Sequence, residues 1–134
     1  MTSTVLLDTQ VFLWMHAAPD RLSSSAQSML ADPTQRVLLS AVSSWEIAIK
    51  HALGRLNLPE PPAEYVLSRI ASARLTAIAI EHSHALLAGA LPPHHRDPFD
   101  RLLIGQAGEL GIPVMTSDQV FDQYDVEVIW ADRQ

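Results

Sequence analysis

His94-His95-Arg96-Asp97-Pro98-Phe99-Asp100-Arg101-Leu102-Leu103-Ile104 passes directly from a charged loop into an apolar helix. Asp97 ahead of Pro98 is the pattern of an N-cap and first helical residue. The carboxylate accepts from free backbone N–H groups, and proline lacks the one that would go unused. Asp100 then falls in the first turn, where the exposed N–H groups favour negative charge. The helix runs on through apolar spacing to Leu110, with Gly105 and Gly108 permitting close packing and Gly111 as the stop. Capping accounts for both aspartates in the plainest reading. Three further acids, Asp8, Glu46 and Asp118, make a second reading worth testing, because each also stands where a strand gives way to a helix.

Working outward, Val5-Leu6-Leu7 is a short apolar run that ends at Asp8-Thr9, and Val11, Leu13, Trp14, Ala17 and Ala18 continue at helical spacing. Ser23-Ser24-Ser25 offers caps for a helix reaching about Leu30. Arg36 to Ser40 reads as a buried strand. Ser43-x-x-Glu46 matches a capping box, which places Glu46 in the first turn of a helix closed by Gly54, with Lys50 one turn on to pair with Glu46 or to meet a phosphate. The proline-rich segment from Leu56 to Pro62 leads into a helix over 63–73. Leu75 to Ile80 has strand character and Glu81 to Ala88 that of a helix ending at Gly89. Ile112 to Thr116 and Val126 to Trp130 are the last strands, separated by a short helix after Ser117-Asp118.

Apolar strands joined by helical crossovers give the order β-α-α-β-α-α-β-α-α-β-α-β, whose natural architecture is one α/β domain over residues 1–134 with a mainly parallel sheet covered on both faces. Right-handed crossovers put the strand carboxyl ends along one edge. That is the edge where ligands bind in open α/β sheets, and it gathers Asp8, the segment before Glu46, and Asp118, with the loop before Asp97 in reach.

At 134 residues the chain is long enough to bury a core, and it has no cysteine, which removes thiol nucleophiles, thiolate zinc sites and disulfides. No apolar run approaches a membrane span and no signal-peptide pattern is visible, so a cytoplasmic location is the expectation. The net charge of −6 argues against broad wrapping of nucleic acid, although acids gathered around divalent cations would invert the local field. Phosphate loops of the GxxxxGK[ST] kind, GxGxxG after the first strand, a second aspartate in Asp8-Thr9-Gln10 and a G-x-S-x-G elbow are all missing. His82 and His84 lie on divergent helix directions and read as structural. His94 and His95 read as an exposed, non-ligating loop pair. Several carboxylates with none of these alternatives suit hard cations, Mg²⁺ or Mn²⁺, and point to phosphodiester hydrolysis.

Leu6-Leu7-Asp8-Thr9, Ser43-x-Trp45-Glu46-Ile47-x-Ile49-Lys50, Asp97-Pro98-Phe99-Asp100-Arg101-Leu102-Leu103-Ile104-x-Gln106-Ala107 and Thr116-x-Asp118-x-x-Phe121-x-x-Tyr124 occur in that order. With the terminal Val128-Ile129-Trp130 they resemble the PIN-domain family, specifically its VapC-type toxin ribonucleases of toxin–antitoxin pairs. The resemblance implies a three-layer α/β/α sandwich, Mg²⁺- or Mn²⁺-dependent endoribonuclease activity on an RNA substrate, a homodimer, and inhibition by a cognate VapB-type antitoxin. It implies Asp8, Glu46, Asp100 and Asp118 as the metal-ligating catalytic acids. Thr116 matches the small hydroxyl residue beside the last acid, and Asp97 and Thr9 stand as support. Lys50, Arg55, Arg96 and Arg101 are the expected RNA contacts. The alternatives are a non-catalytic interaction module of the same fold, and a metal-dependent DNA nuclease or phosphatase.

Overall fold

A computed structural model describes residues 3–133. Five strands form one sheet: β1 (Ser3–Leu7), β2 (Gln35–Ser40), β3 (Thr76–Ile78), β4 (Val114–Thr116) and β5 (Val128–Trp130). Six α-helices connect them: α1 (Thr9–Ala17), α2 (Ser24–Ala31), α3 (Ala41–Ala52), α4 (Pro62–Ser72), α5 (His82–Ala90) and α6 (Pro98–Leu110). The short helix expected after Asp118 is a 3₁₀ turn at Gln119–Gln123, and a second such turn covers Pro19–Arg21. All four strand pairings are parallel, in the spatial order β3-β2-β1-β4-β5.

Both faces of this sheet are buried, as the apolar strands require. Val5, Leu7, Val37, Leu39 and Met115 point to one side, where Val11 and Phe12 of α1, Ala26 of α2 and Tyr65 and Val66 of α4 cover them. Leu6, Leu38 and Val114 alternate to the other side and meet Leu103, Ile104 and Ala107 of α6. The alternation follows from the two-residue period of a strand. Helix α3 serves both layers, giving Ile47 to the first cluster and Val42 to the second. Gly105 lets α6 lie against α5, since a Cβ there would come within 2.9 Å of the Ala88 nitrogen, whereas one at Gly108 would have its nearest contact at 3.8 Å.

The chain leaves β1 toward β2 and β3 and later returns to lay β4 and β5 on the opposite side, so the strand order reverses between β1 and β4. Connections leave those two strands in opposite directions, opening a crevice at their carboxyl ends. Asp8 follows β1 directly, and Ser117-Asp118 follows β4.

Three local expectations are corrected. Helix α3 starts at Ala41, immediately after β2, because Ser40 caps it by accepting from the Val42 N–H at 3.2 Å. The capping box at Ser43 therefore does not exist, and Glu46 lies in the second turn. Helix α5 runs through Gly89 to Ala90, and strands β3, β4 and β5 are shorter than the apolar runs that announced them. Gly54 and Gly111 do adopt the left-handed conformation that ends a helix, with φ of 74° and 67°.

Candidate active site

The crevice holds a cavity of about 370 Å³ lined by Asp8, Glu46, Asp97, Asp100 and Asp118, together with Thr9, Lys50, Arg55 and Ser117. The four acids expected to meet all line it. Each arrives on a different element: Asp8 at the β1–α1 junction, Glu46 on α3, Asp100 in the first turn of α6, and Asp118 after β4.

Asp8 is 6% exposed and Glu46 4%. Such burial of charged carboxylates is costly unless they are paired, protonated or bound to a cation. The Thr116 hydroxyl, itself fully buried, donates to Asp8 Oδ2 at 2.7 Å and accepts from the Asp118 N–H at 3.0 Å, so one side chain ties the ends of β1 and β4 together. Even so, burial raises the Asp8 pKa to about 6, with Glu46 and Asp118 adding repulsion against the hydrogen bonds from Thr116 and Thr9. Burial also raises Asp100, to about 7, reinforced by the charges of Asp8, Asp97 and Glu46 and opposed by a hydrogen bond with His95. These are acids held close enough to repel one another.

Glu46 is only half satisfied. Lys50 contacts its Oε2 one helical turn on, which is the pairing expected, but its buried Oε1 has no hydrogen-bond partner among the described residues. Burial works against the Lys50 ammonium, yet the hydrogen bond and charge of Glu46, with Asp97 and Asp100 beyond, hold its pKa above the usual lysine value. Nothing about a helix cap accounts for Glu46, since Ser40 caps α3. Thr9 Oγ1 donates to Ser43 Oγ at 2.8 Å and locks the start of α1 to α3. Trp45 meets Phe99 edge-on at 5.2 Å, packing α3 on α6 one residue before Glu46 and one before Asp100.

Asp97 caps α6 as its sequence foretells, with Oδ1 accepting from the N–H groups of Phe99 and Asp100 at 2.9 and 3.2 Å. Asp118 Oδ1 caps the following 3₁₀ turn through the Val120 N–H, leaving Oδ2 3.8 Å from His95 Nε2. Oxygen donors from several carboxylates, one of them a buried orphan, form the set that a hard divalent cation takes. The oxygens of Asp8, Glu46, Asp100 and Asp118 have the chemistry such an ion takes, while the donor atoms that come within 4.8 Å of one another among the described residues belong to His95, Asp97 and Asp100.

Two expectations about the loop before α6 change. Arg101 does not face the cavity as an RNA contact. Its guanidinium donates to the carbonyls of Ala88, Leu91, Pro92 and His95 at 2.9–3.2 Å, fastening that loop to α6. His95, read as exposed, is partly buried and puts Nε2 at 2.6 Å from Asp100 Oδ2. His94 stays exposed and stands edge-on to Tyr124. The phenol of Tyr124 accepts from the His95 N–H at 2.8 Å and donates to Pro92 O at 2.9 Å. No sequence signal ties residue 124 to residue 95. Arg55 and Arg96 are exposed, Arg55 on the cavity wall.

A doubly wound parallel α/β domain with a carboxylate pocket at its switch point is the class this fold and site define. The chain matches the PIN domain family model over residues 5–127 and belongs to that family. Ribonuclease VapC22 of Mycobacterium tuberculosis is 34% identical over 118 residues, covering 87% of this chain and 88% of that protein. Ribonuclease VapC16 of the same organism is 38% identical over 61 residues, 46% of this chain and 43% of that protein, so this match spans less than half its length. Among solved structures, VapBC2 from Rickettsia felis bound to a promoter DNA fragment has the same fold, with a TM-score of 0.69 at 13% identity over 94% of this chain and 97% of the matched one.

Proposed function

We propose that this protein is the toxin of a VapBC-type toxin–antitoxin pair and acts as a Mg²⁺- or Mn²⁺-dependent endoribonuclease. The observation that carries the reading is the meeting of Asp8, Glu46, Asp100 and Asp118, from four separate elements, around one cavity at the sheet's switch point. The names of VapC22 and VapC16 support the activity, and the VapBC assembly sharing the fold supports a VapB-type antitoxin as partner. A homodimer and a cytoplasmic location belong to the same reading. Among the described residues no helix is long and apolar enough to cross a membrane.

Asp8, Glu46 and Asp100 would hold the cation, with Asp118 at the outer side. When bound, a divalent ion supplies Lewis-acid stabilisation of phosphate charge at a site that is otherwise repulsive to phosphate. Thr116 fixes the Asp8 carboxylate by donating to one oxygen, and Thr9 holds α1 on α3 so that Asp8 and Glu46 keep their separation. Asp97 keeps the first turn of α6 intact and thereby sets Asp100. Lys50 places an ammonium beside Glu46, and Arg55 and Arg96 offer exposed cations for the RNA backbone.

The test is cleavage of single-stranded RNA by wild type, Asp8→Asn and Asp100→Asn in Mn²⁺ and after chelation. Wild type cleaves with the metal and stops without it, and each variant loses about 10²- to 10³-fold, the scale of removing one preorganised electrostatic group. Cleavage that survives both substitutions contradicts the site. A parallel DNA strand of the same sequence separates a ribonuclease from a general nuclease through the 2′-hydroxyl.

A further inference from the structure

A ring nitrogen stands beside the acids of this cavity. One donor atom each from His95, Asp97 and Asp100 lie within 4.8 Å of one another. His95 Nε2 stands 2.6 Å from Asp100 Oδ2 and 3.8 Å from Asp118 Oδ2, between two of the acids that line the cavity. Ligand atoms about 2.1 Å from a common ion stand about 3 to 4 Å apart, so the Asp118 distance is of coordination size, while the 2.6 Å hydrogen bond to Asp100 opens by a few tenths of an ångström when an ion enters between them. A second observation points to an absent cation independently of this trio: Glu46 Oε1, on the same cavity, is buried without a partner among the described residues.

The loop that carries His95 is fastened through its main chain. Its N–H donates to the Tyr124 hydroxyl, and its carbonyl accepts from Arg101, which also grips Ala88, Leu91 and Pro92. These five hydrogen bonds hold the main chain from which the imidazole projects, and replacing that side chain leaves them in place. A histidine needed only as a surface residue would not require them.

We propose that His95 is a direct nitrogen donor to the divalent cation held at this site, and that it biases the site toward Mn²⁺ over Mg²⁺. Imidazole suits transition-metal ions, whereas Mg²⁺ takes oxygen and water. The inference rests on the metal-site reading above and is tested without activity. Mn²⁺ is added to wild type, His95→Gln, His95→Ala and, as control, His94→Gln. Binding is followed by loss of the free-Mn²⁺ paramagnetic resonance signal, Mg²⁺ by competition, and directly bound nitrogen by ¹⁴N spin-echo modulation.

Wild type and His94→Gln are expected to show ¹⁴N modulation, and both His95 variants to lose it while keeping wild-type circular dichroism. The Mn²⁺-to-Mg²⁺ affinity ratio should fall about tenfold or more in the His95 variants, the scale on which metal sites respond to loss of a supporting group. Mn²⁺ binding with no ¹⁴N modulation, or an unchanged affinity ratio, overturns the donor role and leaves the acid site standing. No Mn²⁺ binding by wild type overturns both readings. Binding with nitrogen coordination but no RNA cleavage keeps the donor and removes the nuclease.

Discussion

Asp100 and Arg101 are neighbours on one helix and live in opposite circumstances. Arg101 is surrounded by acceptors, four carbonyls from the end of α5 and the loop that follows it, and its charge is well used. Asp100 is surrounded by other acids, and burial together with Asp8, Asp97 and Glu46 pushes its pKa to about 7. One side of α6 is arranged for stability. The other carries repulsion that the fold tolerates, as the proposed cation site requires. The two are joined through His95, whose main chain belongs to the first region and whose ring belongs to the second.

The comparison can be broken from the stable side first. Arg101→Met removes four charge-assisted bonds at once and should lower unfolding free energy by about 3 kcal/mol, since bonds to charged groups contribute about 1.5–3 kcal/mol each and are not additive. Urea melts at fixed ionic strength measure this, and a loss below about 1 kcal/mol would mean that the loop does not depend on the guanidinium. Gly105→Ala drives a methyl against the Ala88 backbone and should cost about 2 kcal/mol, in the range of overpacked cores. Asp97→Ala removes the α6 cap at about 1 kcal/mol. Its effect on Mn²⁺ affinity then tells whether Asp97 works only through the helix.

On the strained side the sign reverses. Asp8 and Asp100 have folded pKa values of about 6 and 7, above the ordinary aspartate value of 3.8. The folded state therefore binds more protons than the unfolded one between about pH 4 and 7, and stability must fall as pH rises through that window. Metal-free protein should melt a few degrees higher at pH 5 than at pH 8, read by calorimetry. Saturating Mn²⁺ should erase the trend at pH 8 by replacing the proton. A melting temperature that instead rises with pH would contradict the burial of these acids in their charged form.

Much of this was legible in the sequence because strand ends announce themselves. Apolar triplets such as Val5-Leu6-Leu7 stop at Asp8, and the parallel order followed from helices between strands, which put Asp8, the segment before Glu46 and Asp118 on one edge with the loop before Asp97 in reach. Glu46 lies on the expected helix, but in its second turn rather than its first. Ser43 and Glu46 have capping-box spacing, but Ser40 is nearer the strand end and takes the cap, and that shift of one turn leaves Glu46 with Lys50 on one oxygen and no partner among the described residues on the other. Arg101 and His95 were misread because sequence displays a charge or a ring without its partners. Arg101 is held by carbonyls, which carry no side-chain signature, and His95 by Tyr124, 29 residues away.

The central claim is that the carboxylates at the β1–β4 switch point are an incomplete cation site, destabilising alone and completed by metal. Melting temperatures of wild type and Asp100→Asn at pH 8, each with chelator and with saturating Mn²⁺, test it most directly. The variant should melt above wild type without metal and respond weakly to Mn²⁺, while wild type rises past it when Mn²⁺ is added. A variant that melts below wild type in chelator, and gains as much from Mn²⁺, would contradict the account.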